Sequence, residues 1–147
     1  MTTERIIADG IKVYCSHDKI VDIDSLIPNP KNPNTHPKTQ IKLLSKIIKN
    51  QGWRQAITVS NQSGFIVKGH GRLESAKLLG VTEVPVDFQN YPNQASEYAD
   101  MMADNKLAEL SDVDMALVND LINDESFADF DVTLTGFDKI KIDDIDE

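Results

Sequence analysis

The stretch IVKGHGRLESAKLLGV, residues 66–81, joins a β-branched run to a sequence with helical spacing. Its glycines fall at the end of the run and at the end of the helical segment, positions where a chain turns or a helix stops. The predicted helix over 71–79 places one set of apolar side chains on a single face: Leu73, Ala76 and either Leu78 or Leu79. The stretch therefore predicts a strand that turns sharply at residues 69–72 into a helix.

The chemistry of this turn suits an anion. A helix that starts directly after Gly-X-Gly leaves backbone N–H groups unpaired at the positive end of its dipole. Glycine also lets a ligand approach the backbone, and Arg72 adds two donors that match phosphate oxygens. Lys68 stands just before the turn, and His70 either adjoins a ligand or caps the helix. The competing interpretation is a tight turn that serves packing alone.

Charge is distributed unevenly along the 147 residues, whose net charge is −9. Residues 1–92 carry 12 Lys and Arg against 8 Asp and Glu, a net of +4, whereas residues 93–147 carry 3 against 16, a net of −13. Nine of the basic residues lie within 31–77, and no acidic residue occurs between Asp24 and Glu74. This pattern predicts a basic module with an anionic ligand, followed by an acidic segment.

The remaining segments predict a mixture of short strands and helices. Alternation over 20–27 indicates a half-buried strand, and four prolines within 28–37 indicate a loop. Helix, hairpin and strand patterns then follow in order: a helix over 37–50 with Pro37 as its first residue, hairpin strands at 56–60 and 65–69, a strand at 83–88, and helices at 94–110 and 112–124, the last capped by Ser111 or Asp112. Trp53 either stacks on a base or, as we favour, fills the junction between helix and strand.

Several classes of protein are disfavoured by composition. No apolar run approaches the roughly 18 residues that span a membrane, and the N-terminus lacks the apolar core of a signal peptide, so we expect a cytoplasmic protein without a membrane partner. The single cysteine, Cys15, excludes an internal disulfide and a cysteine-based zinc cluster. No established catalytic constellation can be recognised from spacing, so the catalytic residues stay unknown.

Four segments, taken in order, resemble the ParB/sulfiredoxin superfamily: SLIPNPKNPNTHP (25–37), IIKNQGWRQAITVS (47–60), FIVKGHGRLESAKLLGVTEVPV (65–86) and MMADNKLAEL (101–110). The chain is most similar to ParB-like domains of phages and mobile elements, often associated with DNA methyltransferases. The resemblance covers about residues 20–110. It implies an α+β fold, a small mixed sheet flanked by helices, with an N-terminal segment at 1–19 and an acidic helical extension at 111–147.

The resemblance also implies site residues. Gln55 matches a segment that contacts the nucleotide, and GHGR, residues 69–72, matches the triphosphate-binding box, usually Gly-Glu-Arg-Arg. This chain keeps the outer Gly69 and Arg72 and has His70 and Gly71 between them. The implied nucleotide-binding residues are Gln55, Lys68, Gly69, His70, Gly71, Arg72 and Asn105, with Asp104 and Asn105 as Mg²⁺ ligands. Thr35 and His36 occupy the first box of the family, where His36 can also cap the next helix.

The function expected from this resemblance is binding of CTP or ATP with Mg²⁺ in a DNA-related process, such as phage or plasmid DNA handling or support of a methyltransferase. Weak non-specific DNA binding is an additional expectation. One alternative is an NTP-dependent enzyme, a kinase, NTPase or nuclease, that uses the same corner. A second alternative is an adaptor whose acidic tail docks a basic partner. Sulfiredoxin activity is not expected, because Cys15 lies far from the corner in sequence.

Overall fold

The computed structural model describes residues 6–137, and the chain divides into two units, residues 1–109 and 110–147. The first unit opens with a two-stranded hairpin, β1 (Ile6–Ala8) and β2 (Ile11–Val13), and then builds a four-stranded sheet. The sheet strands are β3 (Lys19–Asp22), β4 (Ile57–Ser60), β5 (Ile66–Lys68) and β6 (Glu83–Gln89). Their spatial order is β3-β6-β4-β5, with β6 antiparallel to β3 and parallel to β4, and β4 antiparallel to β5.

The core lies on the central strands β4 and β6, which carry runs of buried β-branched side chains as expected for strands covered on both faces. Ile57 and Val86, which are register partners across these strands, are both fully buried. Trp53 is fully buried as well, between the end of the first helix and β4. This position confirms the junction interpretation of Trp53 and removes it as a base-stacking platform.

Two helices, α1 (Lys38–Gln51) and α2 (His70–Leu79), pack against each other beside the sheet. α1 turns Ile41, Ser45 and Ile48 inward and leaves its lysines exposed, the amphipathic pattern expected of a surface helix. Small side chains allow the close approach of α1 and α2, since Ser45 Oγ lies 3.4 Å from the carbonyl oxygen of Ser75. This packing fixes the N-terminus of α2 relative to β5.

The third helix, α3 (Gln94–Leu110), ends at the boundary between the two units and turns Glu97 and Met101 inward. The second unit contains α4 (Met115–Ile122) and two short 3₁₀ turns, Glu125–Phe127 and Val132–Thr135. Asp114 caps α4 by accepting the Leu117 N–H at 3.1 Å.

The α+β class and the small mixed sheet are confirmed, and three local predictions need correction. The strand predicted over 20–27 ends at Asp22, because Asp22 accepts the Asp24 N–H and Ser25 Oγ donates to its carbonyl, which forms a 3₁₀ turn. Pro37 precedes α1 as its N-cap and is not its first residue. α4 is shorter than the predicted 112–124, since its cap is Asp114 and neither Ser111 nor Asp112.

The domain boundaries predicted at residues 20 and 110 stay a prediction. The predicted tail after residue 137 and residues 1–5 of the N-terminal segment lie outside the described residues. Within residues 6–137, no helix is both long and apolar enough to cross a membrane.

Candidate functional site

The centre of the site is the corner where β5 passes into α2. β5 ends at Lys68, Gly69 adopts φ +103°, and α2 begins at His70. A β-carbon on Gly69 would lie 3.2 Å from the Ile57 Cα and 3.3 Å from Arg72 Nη1, so the position has neither the space nor the backbone angle for a side chain. The corner is therefore pressed against the sheet, and the His36 ring lies next to Gly71 on the side of the first cavity.

Two cavities meet at this corner. The first, of about 140 Å³, is lined by the 32–36 loop, the corner and one face of α3: Asn32, Asn34, His36, Leu44, Val67, Lys68, Gly69, His70, Gly71, Arg72, Met101, Asp104 and Asn105. The second, of about 340 Å³, is lined by β4, the segments before it, and single residues of β5, α2, β6 and α3: Cys15, Ser16, Arg54, Gln55, Ala56, Thr58, Lys68, Arg72, Asp87 and Asp104. Lys68, Arg72 and Asp104 line both cavities and form the wall between them.

Arg72 is the most enclosed cation of this wall. Burial lowers the pKa of Arg72, and the nearby Asp104 carboxylate partly opposes that shift. A guanidinium starts from such a high pKa that Arg72 stays charged at neutral pH. Its Nη2 donates to Oε1 of Gln55, so a residue on the loop before β4 orients it.

Lys68 is held from the side of α3. Its Nζ lies 3.4 Å from Oδ1 of Asp100, and both side chains are about a third exposed. The other oxygen of this carboxylate, Oδ2, accepts the Tyr91 hydroxyl at 2.5 Å. Burial, and then the hydrogen bond to Asp100, raise the pKa of Tyr91, so the phenol stays protonated as the donor.

His70 is neutral in this arrangement. The backbone N–H of Asn29 donates to His70 Nε2 at 3.2 Å, which requires that nitrogen to be unprotonated. Burial lowers the pKa of His70, with a smaller contribution from His36. The bond ties the proline-rich loop to the corner. The option that His70 caps the helix is wrong, because Gly69 is the N-cap and no side chain makes a capping hydrogen bond there.

Asp104 and Asn105 lie in the last two turns of α3 and both line the first cavity. Across residues 6–137, no group of three or more His, Cys, Asp and Glu side chains has the geometry of a protein-only metal site. Mg²⁺ is commonly held by only one or two carboxylates together with substrate phosphates. The donor set at this corner therefore fits Mg²⁺ carried by a phosphate ligand.

Every nucleotide- or Mg²⁺-binding residue implied by the resemblance lies on one or both cavities, Gln55 on the second and the others on the first or on both. Of the first box, His36 lines the first cavity and Thr35 lines neither. Sequence reasoning missed Cys15, which lines the second cavity and is almost fully buried. Burial raises the pKa of the Cys15 thiol, although Arg72 partly offsets the shift. A raised pKa disfavours the thiolate, which is the nucleophilic form, and no sequence motif could have placed Cys15 at this cavity.

Comparison with known proteins identifies relatives of the chain. A family model described as the ParB N-terminal domain matches residues 12–113. The ParB-like nuclease domain-containing protein YnaK of Escherichia coli (strain K12) is 34% identical over 64 residues, which cover 44% of this chain and 72% of that protein.

Solved structures share the fold. A C-terminally truncated chromosome-partitioning protein ParB from Caulobacter crescentus, complexed with CTP-gamma-S, aligns with a TM-score of 0.58 at 22% identity. The same truncated protein complexed with the centromeric parS site aligns with a TM-score of 0.51 at 20% identity. These alignments cover 73% and 74% of this chain but only 63% and 58% of the ParB chains, so this chain spans less than two thirds of the proteins whose fold it shares.

Proposed function

This chain belongs to the ParB N-terminal domain family, and on that premise we propose that it is a module that binds a nucleoside triphosphate, CTP or ATP, with Mg²⁺. The observation that carries the proposal is the wall shared by the two cavities, where Lys68 and Arg72 converge on a glycine corner at the start of a helix. Two cations and a helix N-terminus together favour a phosphate group.

Each part of the ligand has matching residues. Arg72 and Lys68 would neutralise the phosphates, and the backbone of 69–72 would donate to them. Asp104 and Asn105 would supply oxygen atoms to the accompanying Mg²⁺, because Mg²⁺ prefers oxygen ligands. The second cavity, at about 340 Å³ and bordered by Gln55, falls in the range of small-molecule sites and would take the remainder of the nucleotide.

The central residues of the corner favour binding over fast hydrolysis. His70 stands where the family box usually has an acid, and its Nε2 is engaged by the Asn29 N–H. Gly71 stands where that box has an arginine, which leaves Arg72 as the only guanidinium within 69–72. We therefore propose that bound nucleotide acts mainly as a ligand in a DNA-related process, whether handling of phage or plasmid DNA or support of a methyltransferase.

Calorimetric titration with CTP, ATP and GTP, each with and without Mg²⁺, tests this function. We expect one nucleotide to bind with one site per chain and to bind more tightly with Mg²⁺. A phosphate-release assay on the same samples then separates a binding module from an NTPase. Protein that is folded by circular dichroism and binds none of the three nucleotides would overturn the proposal.

Direct contact with duplex DNA is a second proposed function, supported by α1. Its four lysines, Lys38, Lys42, Lys46 and Lys49, are all exposed. Binding through lysine–phosphate contacts should be weak, insensitive to sequence and steeply reduced by salt. Fluorescence anisotropy with two unrelated duplexes tests this, and the Lys42→Glu, Lys46→Glu double variant should lose most of the signal. Equal binding by the variant would contradict it.

A further inference from the structure

Lys68 differs from Arg72 in how it is held. Arg72 donates a hydrogen bond to the neutral amide of Gln55 and has the Asp104 carboxylate nearby, whereas Lys68 forms an ion pair with the Asp100 carboxylate. A carboxylate paired directly with a cation competes with a ligand for its charge. The two cations of the same wall are therefore not equally available to a phosphate.

Asp100 does not line either cavity, although Asp104, one helical turn later on α3, lines both. Asp100 thus contacts Lys68 without contributing to the lining of either cavity. Any influence of Asp100 on the ligand has to act through Lys68 or through its charge.

Tyr91 fixes the direction of the Asp100 carboxylate. The phenol donates to Oδ2 at 2.5 Å, and the Tyr91 backbone N–H donates to Oε1 of Gln62 at 2.9 Å, which anchors the segment between β6 and α3. With Oδ2 held by the phenol, Oδ1 stays directed at the Lys68 ammonium. The charged groups that face this cluster from the neighbouring elements are Asp87 and Glu97, both of which add negative potential around Tyr91.

We propose that Asp100 is a positioning residue that lowers the affinity of the phosphate site by holding Lys68, with Tyr91 as its support. The proposal rests on the proposed nucleotide-binding function. A phosphate beside Lys68 has to share the ammonium with a fixed carboxylate, so less of the lysine charge is available to the ligand. Because the pair is about a third exposed, the effect is that of a partly screened ion pair.

The test is Asp100→Asn, titrated with the nucleotide that binds the wild-type protein and, separately, with inorganic triphosphate, which needs the phosphate site alone. We expect binding to tighten by up to about fivefold at low salt, and the gain to shrink as salt is raised. Tyr91→Phe should give a smaller change in the same direction. Glu109→Gln is the matched control, since Glu109 lies on the same helix and pairs with Lys106, a lysine that lines neither cavity.

A double-mutant cycle with Lys68→Met decides whether Asp100 acts through Lys68. In the Lys68→Met background, Asp100→Asn should have no effect. A gain that persists there, or that Glu109→Gln reproduces, overturns the proposal in favour of a general charge effect. Unchanged or weaker binding by a folded Asp100→Asn overturns it in favour of a structural role.

The two probes separate this inference from the proposed function. Wild-type protein that binds triphosphate but no nucleotide overturns the proposed function, and the cycle is then measured with triphosphate. Wild-type protein that binds neither probe overturns both. If Asp100→Asn fails to fold, Tyr91→Phe carries the test, and weaker binding by that variant overturns the proposal.

Discussion

The two ends of β5 both turn on a glycine, and the comparison between them separates a structural turn from a site. Before the strand, Gly64 has φ +77° and no heavy atom within 4 Å of the place where a β-carbon would stand. After the strand, Gly69 has φ +103° and the Ile57 backbone at 3.2 Å. At Gly64 only the positive backbone angle of the hairpin favours glycine. At Gly69 both the positive backbone angle and the lack of space for a β-carbon favour it.

The polar groups around the two turns differ in the same way. The hairpin turn is closed by its own chain, since Ser60 Oγ accepts the N–H groups of Gln62 and Ser63. The corner after β5 instead gathers groups from distant segments, among them Gln55 and Asp104. A turn that satisfies itself locally needs no ligand, while a turn that brings two cations to the start of a helix can bind an anion.

The largest expected difference between the two turns is in stability. Gly69→Ala should lower the free energy of unfolding by about 2–5 kcal/mol, because the left-handed backbone and the crowding against Ile57 both oppose a β-carbon. Gly64→Ala should cost only about 1–2 kcal/mol, since the backbone angle alone opposes it. Urea denaturation of both variants measures the two losses of unfolding free energy. Equal losses would show that crowding against Ile57 does not oppose a β-carbon at Gly69.

The next effect concerns binding at the corner. Arg72→Ala should weaken nucleotide affinity about tenfold or more, because a charge-assisted hydrogen bond contributes about 1.5–3 kcal/mol and each 1.4 kcal/mol is a factor of ten. Lys77→Ala, on the exposed side of the same helix, is the control and should leave affinity nearly unchanged. An unaltered titration curve for folded Arg72→Ala would show that the corner is a tight turn that serves packing alone and does not bind phosphate.

A more selective effect is expected at Asp104. Asp104→Ala should abolish most of the gain in affinity that Mg²⁺ provides, and leave metal-free binding unchanged or slightly tighter, since a carboxylate beside Arg72 is lost. Titrations with Mg²⁺ and with EDTA, on this variant and on Glu109→Ala, measure the difference. Full retention of the Mg²⁺ effect would place the metal elsewhere.

The smallest effect is the acid sensitivity of the corner. Because burial lowers the pKa of folded His70, its stabilising contribution is present above the ordinary histidine value, near 6.5, and is lost as the pH falls toward the lower folded value. His70→Gln keeps an acceptor for the Asn29 N–H but does not titrate. Its urea midpoint should therefore fall less than that of the wild type between pH 7.5 and pH 5, and parallel curves would exclude His70 as the cause.

Local sequence was sufficient for the elements around the site. Periodic apolar residues, together with Gly52 and Gly80 at helix ends, predicted α1 and α2 to within a residue or two. Predictions failed where a short polar side chain decided the outcome, as at Asp22 and Asp114, because several neighbouring residues could equally have formed the cap or turn.

By itself, the sequence determined that β5 turns through Gly69 into α2 with Lys68 and Arg72 at the turn, because backbone angle and helix spacing are local properties. Which groups face these cations depends on contacts between distant parts of the chain. Gln55 reaches the corner from the loop before β4, Cys15 from the segment after β2, and Asp100 supports it from α3. The parallel pairing of β4 with β6 and the packing of α1 on α2 position the sheet and the start of α2, and both depend on contacts between residues far apart in the chain.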